Sequence, residues 1–190
     1  MGSLRVFAAI LATAALAGCA ARAPEGLPEA PAPQAVVDAP YRLAGGDRLR
    51  IIVFGQADLT NSYSVDASGA VSMPLIGRVP ARGLTTAELE RNVAARLRQG
   101  YLREPSVSIE VEDFRPIFIL GGVACAGQYP FVDGMTVQQA VAAAGGFAPL
   151  AIQSNVAITR IVDGRGATFA APLLYPLRPG DTITVEARFF

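Results

Sequence analysis

Histidine, tryptophan and lysine are all missing from the 190 residues. Without histidine the commonest acid/base group near neutral pH and the commonest metal ligand are gone, so histidine-dependent catalysis is excluded. An excess of either charge is also lacking. The 16 cations, all arginine, balance 16 carboxylates, which removes the electrostatic case for nucleic acid as a partner. Cysteine is limited to Cys19 and Cys125, too few for a framework of internal disulfides. No apolar run reaches the ~20 residues a membrane-spanning helix needs. Asp58, Asp66 and Asp163 show no clustered ligand pattern, so neither metal nor cofactor is expected.

What is present is a chain that is 52% hydrophobic and 17% charged, able to bury one or two small cores and too apolar to be disordered. Its first eighteen residues read as a signal peptide: Arg5 supplies a positive start, and an apolar run over 6–18 ends in small side chains. Leu16-Ala17-Gly18-Cys19 resembles the bacterial lipobox, which implies cleavage before Cys19 and lipid attachment to its thiol. Several acyl chains on one cysteine hold a protein far more firmly than one. Residue 20 is Ala and not Asp, which by the same resemblance implies the outer membrane, with the folded part facing the periplasm. Cys125 then has no partner in its own chain and is expected to be a small buried residue.

From 20 to 40 the sequence is rich in proline and alanine without amphipathic period, and is expected to form an extended tether that packs nowhere. Beyond Tyr41, short β-rich runs alternate with Gly, Pro and Asp, and two stretches have helical period, so the fold class is α+β. In the first unit, 41–115, strands are expected at 49–54 and 106–112, with a hairpin of 63–65 on 70–73 around Asp66-Ala67-Ser68-Gly69. Thr85 and Glu88 have capping-box spacing, and Leu89, Val93 and Leu97 form one apolar stripe running to Gly100, with Glu90, Arg91 and Arg98 opposite. In the second unit, 116–190, a strand at 117–120 precedes a helix opened by Gly134-Met135-Thr136 and closed by Gly145-Gly146. A hairpin of 156–162 on 167–170 and a last strand at 182–185 complete it.

A weak internal repeat links the units. Leu43-Ala44-Gly45-Gly46-Asp47 and Leu177-Arg178-Pro179-Gly180-Asp181 each launch a strand whose apolar residues lie two apart. Gly46, Asp47, Gly180 and Asp181 are therefore expected to be structural turn residues, with glycine supplying a positive φ. Each unit reads as one helix laid on a small sheet.

Two patterns suggest chemistry and fall short of it. Gly122 to Gly127 has P-loop spacing, but Gln128-Tyr129 stand where Lys and Ser/Thr would hold phosphate and magnesium. Glu110 and Glu112 lie about 6.6 Å apart by strand rise, within the range of inverting glycosidase carboxylates. They share that face with Ser106 and Ser108, as a solvated edge would.

Tyr41 to Asp47 with Ile51-Ile52-Val53-Phe54, Val65-Asp66 to Gly69, Pro74-Leu75-Ile76-Gly77-Arg78-Val79 and Gly83-Leu84-Thr85 resemble the polysaccharide biosynthesis/export domain. The stretches 119–130, 136–146 and 177–190 resemble the soluble-ligand-binding β-grasp domain that follows it. Where relatives usually carry a proline before the glycine of this second domain, the chain has Ala124-Cys125-Ala126-Gly127. With the lipobox, the resemblance is to outer-membrane polysaccharide export lipoproteins, in a short form without their C-terminal membrane helix. It implies a non-enzymatic, homo-oligomeric periplasmic ring or adaptor that conducts capsule or exopolysaccharide. The partners would be the polysaccharide, an inner-membrane polysaccharide co-polymerase and a separate outer-membrane β-barrel, with the membrane held through the lipid anchor. The alternative is a monomeric glycan-binding outer-membrane lipoprotein. Residues that bind polysaccharide cannot be picked from the scattered arginines.

Overall fold

The computed structural model describes residues 26–33, 40–162 and 164–188. Cys19 and the signal sequence lie outside them, as do Asp163 and the final two residues. The fold is α+β, and the elements of the described residues that build it are two α-helices and three sheets around two separate hydrophobic cores.

In the first unit β1 (Arg48–Val53) is the centre of an antiparallel sheet, with β2 (Asn61–Ser64) on one side and β5 (Val107–Asp113) on the other. Alternation along β1 turns Leu49, Ile51 and Val53 inward, where they meet Leu89, Val93 and Leu97 of α1 (Thr86–Arg98). The helix starts where its sequence dictates. Thr85 accepts the Glu88 backbone N–H and Glu88 accepts that of Thr85, so both members of the capping box are made.

The hairpin turn at Asp66–Gly69 forms as expected, with Gly69 at φ 85°. Its strands differ from the expectation. Val65 and Val71 make a single bridge, and β3 (Ala70–Met73) instead pairs along its length with β4 (Gly77–Pro80). The physical reason lies in the reversal after Met73, where Leu75 and Gly77 at φ 69° and 66° turn the chain back so that β4 meets β3 along its whole length.

The second unit is a five-stranded mixed sheet in the order β7-β6-β10-β8-β9 with α2 (Val137–Ala143) on one face. Its strands are β6 (Ile117–Gly121), β7 (Gly127–Tyr129), β8 (Asn155–Val162), β9 (Arg165–Pro172) and β10 (Thr182–Val185). The middle pair, β10 on β6, is parallel and joins the end of the unit to its beginning. A parallel strand flanked by antiparallel neighbours, with one helix across it, gives the β-grasp-like arrangement. The β8–β9 turn is tighter than expected, since pairing continues to Val162 and Arg165.

Two further expectations are corrected. Cys125 is exposed, because its loop is stitched by main chain to the C-terminal end of α2 and turns its side chain outward. The 20–40 stretch does pack in part: Pro28 and Ala30 hydrogen-bond to Ala170 on the β9 edge, and Ala30 packs against the second core. An open strand edge offers unpaired main-chain groups that even a proline-rich segment can use.

Candidate functional site

Asp47 and Asp181 are the most deeply buried carboxylates of the described chain, at 0% and 1% exposure. A buried carboxylate must be met by donors, and both use the same local device. Asp47 accepts the N–H of Ala44 and Asp181 that of Arg178, each at 2.8 Å and three residues upstream. The intervening Gly46 and Gly180 have φ of 96° and 85°. The repeat seen in sequence is thus a repeat of hydrogen-bond geometry.

Beyond the turns the two aspartates diverge. Asp181 receives a bidentate pair from Arg160, Nε at 2.8 Å and a terminal nitrogen at 2.6 Å. The guanidinium is itself buried and lies 5.5 Å from the Phe169 ring centroid and 5.9 Å from that of Tyr175. Burial alone would lower the pKa of Arg160; the hydrogen bonds and charge of Asp181 outweigh it and hold the group firmly protonated. Asp47 is met by the Tyr41 hydroxyl at 2.6 Å and by the Arg115 backbone N–H at 3.1 Å, with the Arg115 guanidinium more distant at 3.4 Å. Arg115 also donates to Tyr41 at 2.8 Å. Burial, then the bond to Asp47, pushes the Tyr41 hydroxyl well above the ordinary tyrosine range, so it stays protonated as a donor.

Arg115 ties the units together. Gly180 lies so close to it that a Cβ there would stand 2.7 Å from Arg115 Nε. The neighbouring Pro116 carbonyl accepts the Gly180 N–H. Tyr41, Phe114 and Phe131 continue the contact as two edge-to-face pairs, with centroids 5.0 and 5.5 Å apart. The turn of one unit and the turn of the other therefore lean on the same residue, Arg115. Sequence reading found Gly46, Asp47, Gly180 and Asp181. It missed Tyr41, Arg115 and Arg160, and the arginines stand 68 and 21 residues from the carboxylates they serve, beyond any local motif.

The other patterns lead elsewhere. Glu112 pairs with Arg48 at 3.1 Å, and hydrogen bonding from Ser62, then Arg48, lowers its pKa, opposite to what a general acid needs. The loop over 122–127 turns the N–H groups of Ala124 and Cys125 toward the carbonyls of Gly146 and Ala144, leaving neither for phosphate. Asp66 is engaged by Ser68, Ala70 and Arg78. Among the described residues no group of three or more Cys, Asp or Glu is placed to hold a metal, and no helix is long and apolar enough to cross a membrane.

Residues 35–112 match the family described as polysaccharide biosynthesis/export protein, and 116–170 match the SLBB domain. The segment between the two matches holds Phe114 and Arg115. The chain is 32% identical over 118 residues to the exopolysaccharide production protein ExoF of Rhizobium meliloti strain 1021, covering 56% of this chain and 28% of that one. It is 26% identical over 185 residues to the EPS I polysaccharide export outer membrane protein EpsA of Ralstonia nicotianae, covering 78% of this chain and 48% of the relative. The chain thus spans under half the length of either relative. The two matched domains follow each other in one chain around a shared junction: the chain carries a polysaccharide biosynthesis/export domain joined to an SLBB domain and is similar to proteins of polysaccharide production and export.

Proposed function

We propose that the chain is a periplasmic ring or adaptor component of a capsule or exopolysaccharide export machine. It is anchored by lipid at Cys19 to the periplasmic face of the outer membrane. The observation that carries this reading is the pairing of the export domain with the SLBB domain, joined through Tyr41, Phe114 and Arg115. A linker fixed by a buried carboxylate and edge-to-face rings gives each copy a defined shape, which a closed ring of identical copies requires. Leu16-Ala17-Gly18-Cys19 supports the anchor, and the names of the two relatives support export and an outer-membrane setting. In this reading the chain self-associates and works between an inner-membrane polysaccharide co-polymerase and a separate outer-membrane β-barrel.

The test is complementation of a deletion strain, with secreted polysaccharide and membrane fractionation measured together. Wild type restores secretion. Cys19→Ser leaves the membrane fraction or accumulates as uncleaved precursor, because only a thiol at that position accepts the lipid. Normal maturation and fractionation of Cys19→Ser would refute the anchor. The mass of the detergent-extracted protein tests the ring, and a monomer there means a glycan-binding lipoprotein instead.

A further inference from the structure

We propose that the tip of the β8–β9 hairpin rests in the headgroup region of the membrane that holds the anchor, with Ile161 and Val162 as its apolar contacts. The proposal rests on lipidation at Cys19, and two independent features of the second unit point to the tip.

One is the direction of the arm on the β9 edge. The Ala170 N–H donates to the Pro28 carbonyl and the Ala30 N–H to the Ala170 carbonyl, both at 2.9 Å, and Glu29 pairs with Ala170 in parallel. A parallel segment runs the same way as its partner. Since β9 starts at the tip with Arg165, the arm comes onto the β9 edge at Pro28 from the side of the tip. Fully extended, the stretch from Cys19 to Pro28 reaches at most about 30 Å, and Ala170 lies about 17 Å along the strand from Arg165. Leaving the β9 edge from that side, a stretch of this length is long enough for the lipid to lie level with the tip.

The other feature is the tip itself. β10 pairs with β8 only at Ala157, Ile158 and Thr159, so beyond Arg160 the hairpin projects as a two-stranded ribbon. Ile161 and Val162 are 70% and 51% exposed and, being successive, face opposite sides of the ribbon. Pairing of Ile161 with Gly166 and Val162 with Arg165 engages the facing edges of the two strands, while the main-chain groups on their outer edges still need polar partners, which sets the contact in the headgroup layer and not in the hydrocarbon. Arg165, the first residue of β9, stands beside the tip as its cation. Asp163, two residues away in sequence, carries the opposite charge, so the contact is mainly apolar. Exposure alone does not single out the tip, since Leu174, just past the other end of β9, is 75% exposed. The arm's direction distinguishes the two ends.

The absence of tryptophan makes the test direct. Ile161→Trp, Val162→Trp and Leu174→Trp each install a single reporter in the full lipidated chain, reconstituted in phosphatidylethanolamine/phosphatidylglycerol vesicles with and without brominated acyl chains. Emission from the two tip variants should shift to the blue and be quenched by the brominated lipid, while that of Leu174→Trp stays unchanged. Unquenched tip reporters in vesicles that hold acylated protein overturn the tip contact and leave the anchor standing. A mass spectrum showing no acyl group on Cys19 overturns both. A blue shift in lipid-free protein that grows with concentration assigns the tip to contact between copies and also overturns the proposal.

Discussion

Two buried carboxylates, solved in two ways, set different sensitivities at single residues. Asp181 depends on one arginine that is itself buried. Removing one partner of such a pair strands the other charge, at a cost of about 3–5 kcal/mol. Asp47 has Tyr41, two backbone N–H groups and only a long contact to the 25%-exposed Arg115 side chain. Arg160→Ala should therefore lower the urea midpoint of the chain far more than Arg115→Ala; equal losses would mean that the guanidinium at Asp47 matters more than its distance indicates. Gly180→Val meets a φ of 85° and the movable end of Arg115, and should cost about 1–3 kcal/mol in backbone strain. Gly121→Ala is the harsher change, because its Cβ would stand 2.1 Å from the Val185 carbonyl oxygen, a main-chain atom in the central strand. Thermal midpoints of the two variants decide the order.

At the scale of elements, the features legible in sequence are those fixed within a turn or two of chain. Thr85 and Glu88 announce α1, Thr136 opens α2, and alternation in 106–112 marks β5; each rests on neighbours in sequence. Thr85→Ala should cost about 1 kcal/mol, read as a lowered midpoint with unchanged helix content at low temperature. What could not be read depends on groups far apart. Glu90, placed by periodicity on the outer face of α1, turns to accept the Ile109 N–H at 2.8 Å and caps the free edge of β5. The exposure of Cys125 likewise depends on the main-chain bonds that tie its loop to the end of α2, and the length of the β3–β4 pairing on the reversal that follows Met73. Asp66 adds a pH dependence to its hairpin: hydrogen bonds from Ser68 and Ala70 and the charge of Arg78 lower its pKa to about 2. A depressed carboxyl stabilises the fold above its ordinary value near 3.8 and loses that contribution as pH falls through about 2. The stability difference between wild type and Asp66→Asn should therefore shrink between those values, and a constant difference would show that the charge of Asp66 is not involved.

For the whole molecule, the position of β10 has a consequence for the order in which the chain can close. The first unit draws its core from one continuous stretch ending in β5, and can assemble as soon as that stretch is available. The second cannot: its central strand is contributed by Thr182 to Val185, and Ile117 and Ile119 on β6 wait for it. The arm at Pro28 and Ala30, made earliest of the described segments, waits for Ala170. A chain emerging from its N-terminus would carry a finished first unit ahead of an open second one, exposed until nearly the last described residues arrive. Ending the chain before Thr182 should leave the first unit protected in amide exchange and the second fully labile; protection of both would show that β10 is dispensable. Maturation then has a built-in final step, in which a single short strand completes the sheet whose edge receives the arm.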